Sequence, residues 1–180
     1  MNLKKIVNFF FEIASMRRIK RAHCQAIHQA TENIADHSFR TAVIGMILAK
    51  MEKCDPNKVL KMCLFHDVAE ARIGDANFIN KLYSELKEKQ ALEDQMKGLP
   101  IAEEILTLLE EFEKGKTKEA ICAKDADLLD QMILQREYFY QDKKTIKYGK
   151  TIQKDPSRPN QPKNWQKKSE LPIHLSGFIS

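Results

Sequence analysis

Several features are scarce in this 180-residue chain, and each scarcity excludes a class of structure. Glycine and proline occur only six times each, so long uninterrupted helices are allowed. No apolar stretch reaches the roughly 18–20 residues that a membrane-spanning helix requires, and we expect no membrane partner. The cysteines are scattered without a CxxC pair, at Cys24, Cys54, Cys63 and Cys122. That spacing argues against a disulfide framework or a zinc ribbon and favours a reducing, cytoplasmic location.

Strand patterns are also missing, since no useful length of chain alternates apolar and polar residues. Apolar residues recur instead at the spacing of amphipathic helices. The predicted helices span residues 3–19, 34–52, 56–71, 76–95, 101–114 and 118–141. Start signals are Asn33, Asp55-Pro56 and Thr117, and breaks are Gly74, Gly98 and Gly115. The predicted core face of the second helix is Ala42, Val43, Met46, Ile47 and Ala49. We therefore expect a single all-α bundle of five to six helices.

The C-terminal segment has a different composition. Prolines at 156, 159, 162 and 172 make regular structure unexpected there. Residues 143–180 carry a net charge of +7, which leaves residues 1–142 at about −2 of the total of +5. We predict a helical domain over 1–142 and an irregular basic tail over 143–180. Because the tail lacks a regular interleaving of basic and aromatic residues, we do not expect nucleic acid as a partner.

The segment KMCLFHDVAEARIGD, residues 61–75, places ionisable groups directly after an apolar run. Burying His66 and Asp67 beside that run costs free energy unless something pairs with them. Glu70 lies on the same side of a helix, and Asp75 follows a glycine at which the chain can turn back. These four side chains are therefore candidates for one polar site.

Two other segments offer further groups of the same kind. His37 falls in the first turn of the predicted helix 34–52, where the positive end of the helix dipole favours the neutral imidazole that binds metals. Asp125, Asp127 and Asp130 lie within an apolar helical pattern. Of these three, Asp127 is most closely flanked by apolar residues and is expected to need a partner most.

Two imidazoles and two carboxylates from three helices suit one divalent transition metal ion. Mixed nitrogen and oxygen ligation is compatible with Mn, Co, Zn, Fe or Ni. The alternative is a buried ion pair, in which His66 and Asp67 bond to backbone groups and arginines. Spacing alone leaves both interpretations open.

Three segments resemble the motifs of one branch of the HD-domain metal-dependent phosphohydrolases. ENIADHS, from residue 32, is similar to E-x-V-x-[DE]-H-S. HDVAEARIGD, from residue 66, is similar to HD-x-x-E-x-x-x-G-D, and AKDADLLDQMILQREY, from residue 123, to K-x-x-D-x-L. That branch includes the bacterial 5'-deoxynucleotidases. Over residues 1–142, the resemblance implies an all-helical HD domain that acts on small nucleotides and is often a homodimer.

The resemblance also implies roles for individual residues. The implied metal ligands are His37, His66, Asp67 and Asp127. The family's lysine-to-aspartate spacing, counted from Lys124, selects Asp127 over its acidic neighbours. Glu70 matches the acidic residue that positions or activates the attacking water, and Asp75 matches the one near the sugar.

The chain departs from the family pattern fourteen residues before the first ligand histidine. Members often carry an arginine or glycine before a tryptophan, whereas this chain reads Ala22-His23. Since that segment touches substrate in the family, we expect Lys20 or Arg21 to supply the positive charge. Arg40, three residues after the histidine, either points at a phosphate or solvates its helix.

The predicted function is hydrolysis of the 5'-phosphate of (deoxy)nucleoside monophosphates. The alternatives are an HD hydrolase of another phosphorylated nucleotide and a non-catalytic metal- or nucleotide-binding protein. Ala71 follows Glu70 where the family's alarmone hydrolases read HD-x-x-E-D, and no histidine between His66 and His174 could serve a second metal. Intact Glu70 and Asp75 argue against the non-catalytic alternative, because a ligand shell alone does not require them.

Overall fold

The computed structural model describes residues 2–22, 24 and 32–141. Two features of the sequence lie outside these residues, namely His23 and the tail 143–180. The described residues form eight α-helices, together with a 3-10 turn at Met16–Arg18: α1 (Leu3–Ser15), α2 (Ile34–Glu52), α3 (Pro56–Phe65), α4 (Glu70–Ile73), α5 (Phe78–Tyr83), α6 (Glu88–Met96), α7 (Ala102–Lys114) and α8 (Lys118–Gln141).

The all-α prediction is confirmed for this part of the chain. Among the described residues, Lys20 and Asn33 form an isolated antiparallel β-bridge. The side chains of Asn33, Asp55 and Thr117 each accept a backbone N–H from the first turn of α2, α3 and α8, as their positions predict. None of the described helices is both long and apolar enough to cross a membrane.

The predicted helix over 56–71 is interrupted, because α3 stops one residue before His66. The Nδ1 of His66 donates to the carbonyl of Cys63 at 2.8 Å. In a continuing α-helix the amide of Asp67 would use that carbonyl. The following amides bond three residues back, as in Glu70 N–H to Asp67 O at 3.0 Å. His66 and Asp67 thus lie in a tight turn between α3 and α4, and the mid-helix prediction is wrong.

The predicted helix over 76–95 is also divided, into α5 and α6. The hydroxyl of Ser84 donates to the carbonyl of Asn80 at 2.6 Å. This side-chain bond competes for the acceptor that the backbone of Ser84 needs to continue α5. The two divisions explain why the described residues form eight helices and not five or six.

Helices α2, α3 and α8 form the centre of the core, and α7 packs against α3 and α8. Gly45 of α2 allows a close approach of the three backbones. A Cβ at this glycine would lie 2.6 Å from Cys63 Sγ, 3.0 Å from Val59 Cγ1 and 3.5 Å from Ala126 Cβ. The lack of a side chain at Gly45 therefore lets α2 lie directly on α3 and α8.

The buried face of α2 differs from the predicted one. Ala42 and Ala49 are buried, but Val43, Met46 and Ile47 are exposed at 38%, 41% and 54%. Apart from Ile34 in the first turn, the buried residues of α2 are small or polar, namely His37, Ser38, Thr41, Ala42, Gly45 and Ala49. A helix buried through small residues does not show its inner face as a stripe of large apolar side chains.

The segment before α2 runs beside the start of that helix. The amide of Arg21 donates to the carbonyl of Glu32, and the amide of Ile34 to the carbonyl of Ile19, both at 3.0 Å. The amide of Ala22 donates to the Asp75 carboxylate at 2.7 Å. These backbone bonds fix residues 19–22 between the N-terminus of α2 and the chain that follows α4.

Candidate metal centre

His37 lies in the first turn of α2 and is completely buried. Its Nδ1 is 2.7 Å from Oδ2 of Asp130 on α8. A carboxylate only accepts, so the proton of the imidazole is on Nδ1 and the lone pair of Nε2 is available to a ligand.

His66 repeats this arrangement with a backbone partner. Its Nδ1 donates to the Cys63 carbonyl, which again places the proton on Nδ1. The Nε2 atoms of His37 and His66 face each other at 3.2 Å. Two nitrogens whose lone pairs converge at this distance require a proton or a metal ion between them.

Two carboxylates complete the group. Oδ2 of Asp67 lies 3.2 Å from the Nε2 of His66 and 3.5 Å from that of His37. Oδ1 of Asp127 lies 3.3 Å from the Nε2 of His37 and 4.0 Å from that of His66. The sequence-predicted set is thus brought together from the start of α2, the turn after α3 and the middle of α8.

The spacing of these four atoms fits a metal ion. Ligands about 2.1 Å from one ion, at angles between octahedral and tetrahedral values, lie about 3.0–3.4 Å apart. Three of the five distances given above lie in this range, the fourth is 3.5 Å and the fifth is 4.0 Å. The ligand atoms of His37, His66 and Asp127 lie within 4.8 Å of one another, as do those of Glu32, His37 and Asp130. Nitrogen and oxygen donors together are typical of divalent transition metals.

The electrostatics of the site indicate a demand for positive charge. Burial lowers the pKa of His66, but the Asp67 carboxylate outweighs burial and raises that pKa to about 9. Burial opposes ionisation of Asp67, yet the charges of His66 and Arg21 hold its pKa well below the usual range. Burial also opposes ionisation of Asp127, but the nearby His37 and His66 together lower its pKa. The two carboxylates thus concentrate negative charge at a point that a bound cation would offset.

Glu70 and Asp75 lie at the start of α4 and just beyond its end. Glu70 is buried, and its Oε2 has no hydrogen-bond partner within the described residues. Burial, followed by repulsion from Asp67 and Asp75, raises the pKa of Glu70 to about 9. A buried carboxyl oxygen without a partner is unfavourable, which makes Glu70 a candidate for contact with water or substrate. Asp75, by contrast, has an oxygen engaged by the Ala22 amide.

The three basic residues predicted to bind substrate occupy different places. Arg21 is buried, and its Nη1 lies 2.8 Å from Asp67 and 3.9 Å from Asp75. The preceding residue, Lys20, is exposed. Arg40 instead pairs with Asp130, with Glu32 at 2.6 Å and with Glu137 at 3.3 Å, next to the Nδ1 of His37. Three nitrogens of the Arg40 guanidinium are thus engaged by carboxylates, which does not favour the predicted contact with a phosphate, whereas the Nε of Arg21 has no hydrogen-bond partner among the described residues.

The sequence reasoning missed two residues of this buried network. Asp130 is fully buried, whereas the side chain of Asp127 is 27% exposed. The apolar neighbours of Asp127 in the sequence therefore do not indicate which of the two carboxylates is more deeply buried. Glu32 opens the ENIADHS motif, but its position there gives no indication of a role. The available signal for Asp130 was its spacing, since residues three apart on α8 share a face.

Known proteins resemble this chain in sequence and in fold. A family model described as an HD domain matches residues 13–167. This chain belongs to the HD-domain family. The match continues past residue 142, so the boundary between domain and tail stays a prediction.

Individual relatives support the same branch of the HD-domain family. A protein of Xenopus laevis named 5'-deoxynucleotidase HDDC2 is 30% identical over 75% of this chain and 70% of its own length. Its Dictyostelium discoideum counterpart is 34% identical over 59% of this chain and 63% of its own length. The second match thus spans less than two thirds of that relative.

A solved structure extends the similarity to three dimensions. It is described as a predicted metal-dependent phosphohydrolase from Magnetospirillum magnetotacticum and is 27% identical, with a TM-score of 0.60 over 74% of this chain and 70% of that one. The predicted resemblance to the 5'-deoxynucleotidase branch of HD-domain enzymes is confirmed by these relatives. The HD-domain chain is accordingly an enzyme.

Proposed function

We propose that this HD-domain enzyme is a metal-dependent phosphohydrolase that releases phosphate from the 5' position of (deoxy)nucleoside monophosphates. The observation that carries the proposal is the convergence of two imidazole nitrogens and two carboxylate oxygens within 4.0 Å. The proposed ligands of one divalent transition metal are His37, His66, Asp67 and Asp127. The names of the relatives from frog and slime mould support the substrate class.

A divalent ion held by these ligands supplies Lewis acidity toward a phosphoryl oxygen and activates water for attack. Glu70 is proposed to accept the proton of the attacking water or to orient that water. Its unpartnered buried oxygen supports this role. Because its pKa is raised to about 9 by burial and by Asp67 and Asp75, Glu70 needs added positive charge nearby to act as a base at neutral pH.

Arg21 is the proposed cation for the substrate phosphate. Its guanidinium is already oriented by Asp67 and Asp75, so little side-chain entropy is lost when a phosphate binds beside it. The Asp75 carboxylate accepts the Ala22 amide and thereby fixes the segment that carries Arg21. A contact of Asp75 with the sugar is proposed from the resemblance.

We extend the proposal to the assembly, the location and the metal. A homodimer and a cytoplasmic location are expected for this branch, and the metal is one of Mn, Co, Zn, Fe or Ni. An HD hydrolase of another phosphorylated nucleotide uses the same ligands and the same Glu70. A non-catalytic metal- or nucleotide-binding protein is disfavoured by the orphaned carboxyl of Glu70, since a binding shell gains nothing from it.

The test combines metal analysis with phosphate release. We expect protein purified without chelator to hold about one transition metal per chain. With Mn²⁺, Co²⁺ or Zn²⁺ added, it should release phosphate from dAMP, dGMP, dCMP, dTMP or dUMP, with AMP measuring sugar preference. Asp127→Ala should lose both metal and activity, whereas Glu70→Gln should keep the metal and lose activity.

Asp94→Ala, at an exposed carboxylate of α6, is the matched control and should change neither property. Full activity in Asp127→Ala would rule out the ligand assignment. Bound metal without phosphate release from any of these nucleotides would favour one of the alternatives.

A further inference from the structure

Asp130 connects two positively polarised groups in the interior of the protein. One carboxylate oxygen accepts from the Nδ1 of His37 at 2.7 Å, and the other accepts from the Nε of Arg40. Asp130 and His37 are both completely buried.

Arg40 is held in a fixed orientation by a second buried carboxylate. Its Nη2 donates to Glu32 at 2.6 Å while its Nε donates to Asp130. A guanidinium has no acceptor and keeps its protons at any pH that the folded protein meets. The Asp130 oxygen beside Arg40 must therefore always accept.

We propose that Asp130 is the positioning residue that keeps the proton of His37 on Nδ1, and that Arg40 and Glu32 fix Asp130 in this role. The consequence is that the Nε2 of His37 presents a lone pair to the metal. This inference rests on the metal centre of the proposed function. The second histidine has no equivalent side chain, because the Nδ1 of His66 is held by a backbone carbonyl.

The substitution Asp130→Asn should reverse the tautomer of His37 for a geometric reason. The new amide has one accepting oxygen for two donors, and Arg40 cannot give up its proton. The amide oxygen would turn to Arg40 and the amide NH₂ to His37. His37 would then accept at Nδ1 and carry its proton on Nε2, where the metal must bind. An isosteric change of one oxygen to an NH₂ group thus removes a ligand without removing the histidine.

The same reasoning predicts a rescue. With Arg40→Met in the same chain, the oxygen of the new amide has no competing donor on that side and can turn to His37. The double variant Asp130→Asn/Arg40→Met should bind metal more tightly than Asp130→Asn alone. A purely structural contribution of the network predicts the opposite, since the second substitution removes further hydrogen bonds.

The experiment measures the dissociation constants of Co²⁺ and Mn²⁺ alone for the wild type, both single variants and the double variant. Replacing a side chain that orients a ligand histidine costs about 10- to 100-fold in metal affinity, which is expected for Asp130→Asn. Arg40→Met should cost less than Asp130→Asn, and the double variant should recover most of the loss. Asp94→Asn is the matched control for an exposed carboxylate on α6.

Each outcome separates this inference from the proposed function. Wild-type protein that binds neither ion overturns the metal centre and with it the role of Asp130. Tight binding by Asp130→Asn, or no recovery in the double variant, overturns the inference while leaving the metal centre in place. A second measurement does not depend on the folding of any variant. Long-range ¹H–¹⁵N NMR of zinc-loaded wild type should show the proton on the Nδ1 of His37. A bare Nδ1 would also overturn the role of Asp130.

Discussion

The Nε2 atoms of His37 and His66 lie 3.2 Å apart, and each ring donates its Nδ1 proton to an oxygen on its other side. The two rings meet in an edge-on arrangement at the junction of α2 and α3. Because both Nε2 atoms also approach Asp67 and Asp127, the junction combines two lone pairs with two negative charges. A cation between them relieves the repulsion, and without a metal that cation is a proton on His66.

We expect metal binding to release a proton at neutral pH. The pKa of His66 is raised to about 9, since Asp67 outweighs the effect of burial, so the metal displaces a proton below that pH. With one proton released, affinity should increase about tenfold per pH unit through the neutral range and level off above the pKa. Calorimetry of Mn²⁺ binding in two buffers of different ionisation enthalpy measures the number of protons. An affinity independent of pH over this range would contradict the ligand role of His66.

The raised pKa of Glu70 should reduce the stability of the metal-free protein at high pH. Burial and the charges of Asp67 and Asp75 raise this pKa from 4.5 to about 9. Between these values the folded state binds the proton that the unfolded state has lost, so the free energy of unfolding falls as pH rises. Glu70→Gln removes this dependence and should become more stable relative to wild type as the pH is raised from acid toward the folded pKa.

Thermal unfolding in the presence of a chelator, at mildly acidic, neutral and alkaline pH, measures this difference. Glu85→Gln, at an exposed position between α5 and α6, is the matched control and should follow the wild type at each pH. A difference in melting temperature between wild type and Glu70→Gln that is the same at all three pH values would show that the pKa of Glu70 is not raised in the folded protein.

The candidate ligands illustrate what the sequence can and cannot predict. His66 and Asp67 follow from ionisable groups beside an apolar run, His37 from its place in the first turn of a helix, and Asp127 from its apolar neighbours and the motif spacing. The different roles of Asp127 and Asp130 cannot be predicted from the sequence, because both are flanked by apolar residues and lie on one face of α8. Only the position of the His37 ring between them determines that one meets Nε2 and the other meets Nδ1.

Helix ends and faces show a similar division. Caps are local side-chain chemistry, and Asn33, Asp55 and Thr117 are recognisable from the sequence. The end of α3 depends on the hydrogen bond from His66 to the Cys63 carbonyl, which helix propensity does not predict. The inner face of α2 depends on tertiary packing at small residues, so the exposed apolar side chains of that helix give a misleading pattern.

Arg21 should contribute more than Lys20 to binding the substrate phosphate. The two residues are adjacent in an extended segment, so their side chains point to opposite sides. Only Arg21 is buried beside Asp67. A hydrogen bond to a charged group contributes about 1.5–3 kcal/mol, so Arg21→Lys should lower kcat/KM for phosphate release about 10- to 100-fold.

Lys20→Met is the matched comparison and should change kcat/KM far less than Arg21→Lys. Steady-state kinetics on dAMP with a fixed Mn²⁺ concentration measures both variants, and metal content confirms that Asp67 still binds. A larger loss of kcat/KM in Lys20→Met would indicate that Lys20, and not Arg21, contacts the phosphate.

Gly45→Ala should destabilise the protein through the packing that brings the ligands together. The new Cβ would lie 2.6 Å from Cys63 Sγ and 3.0 Å from Val59 Cγ1, so α2 and α3 must separate or Cys63 must move. Overpacking of a core costs about 1–3 kcal/mol, which exceeds the roughly 1 kcal/mol that alanine gains over glycine within a helix when the clash is not relieved. We expect a lower free energy of unfolding and, because His66 follows Cys63 by one turn, weaker metal binding.

The double variant Gly45→Ala/Cys63→Ala tests whether this contact is the cause. Removing the sulfur vacates the space into which the new methyl group points, so the two substitutions should be less harmful together than the sum of their separate effects. Urea unfolding of the metal-free protein and titration with Co²⁺ give the stability and the affinity of each variant. If the two losses simply add, the close approach at Gly45 is not limited by Cys63. If stability recovers and affinity does not, the position of His66 depends on the Cys63 side chain as well as on its carbonyl.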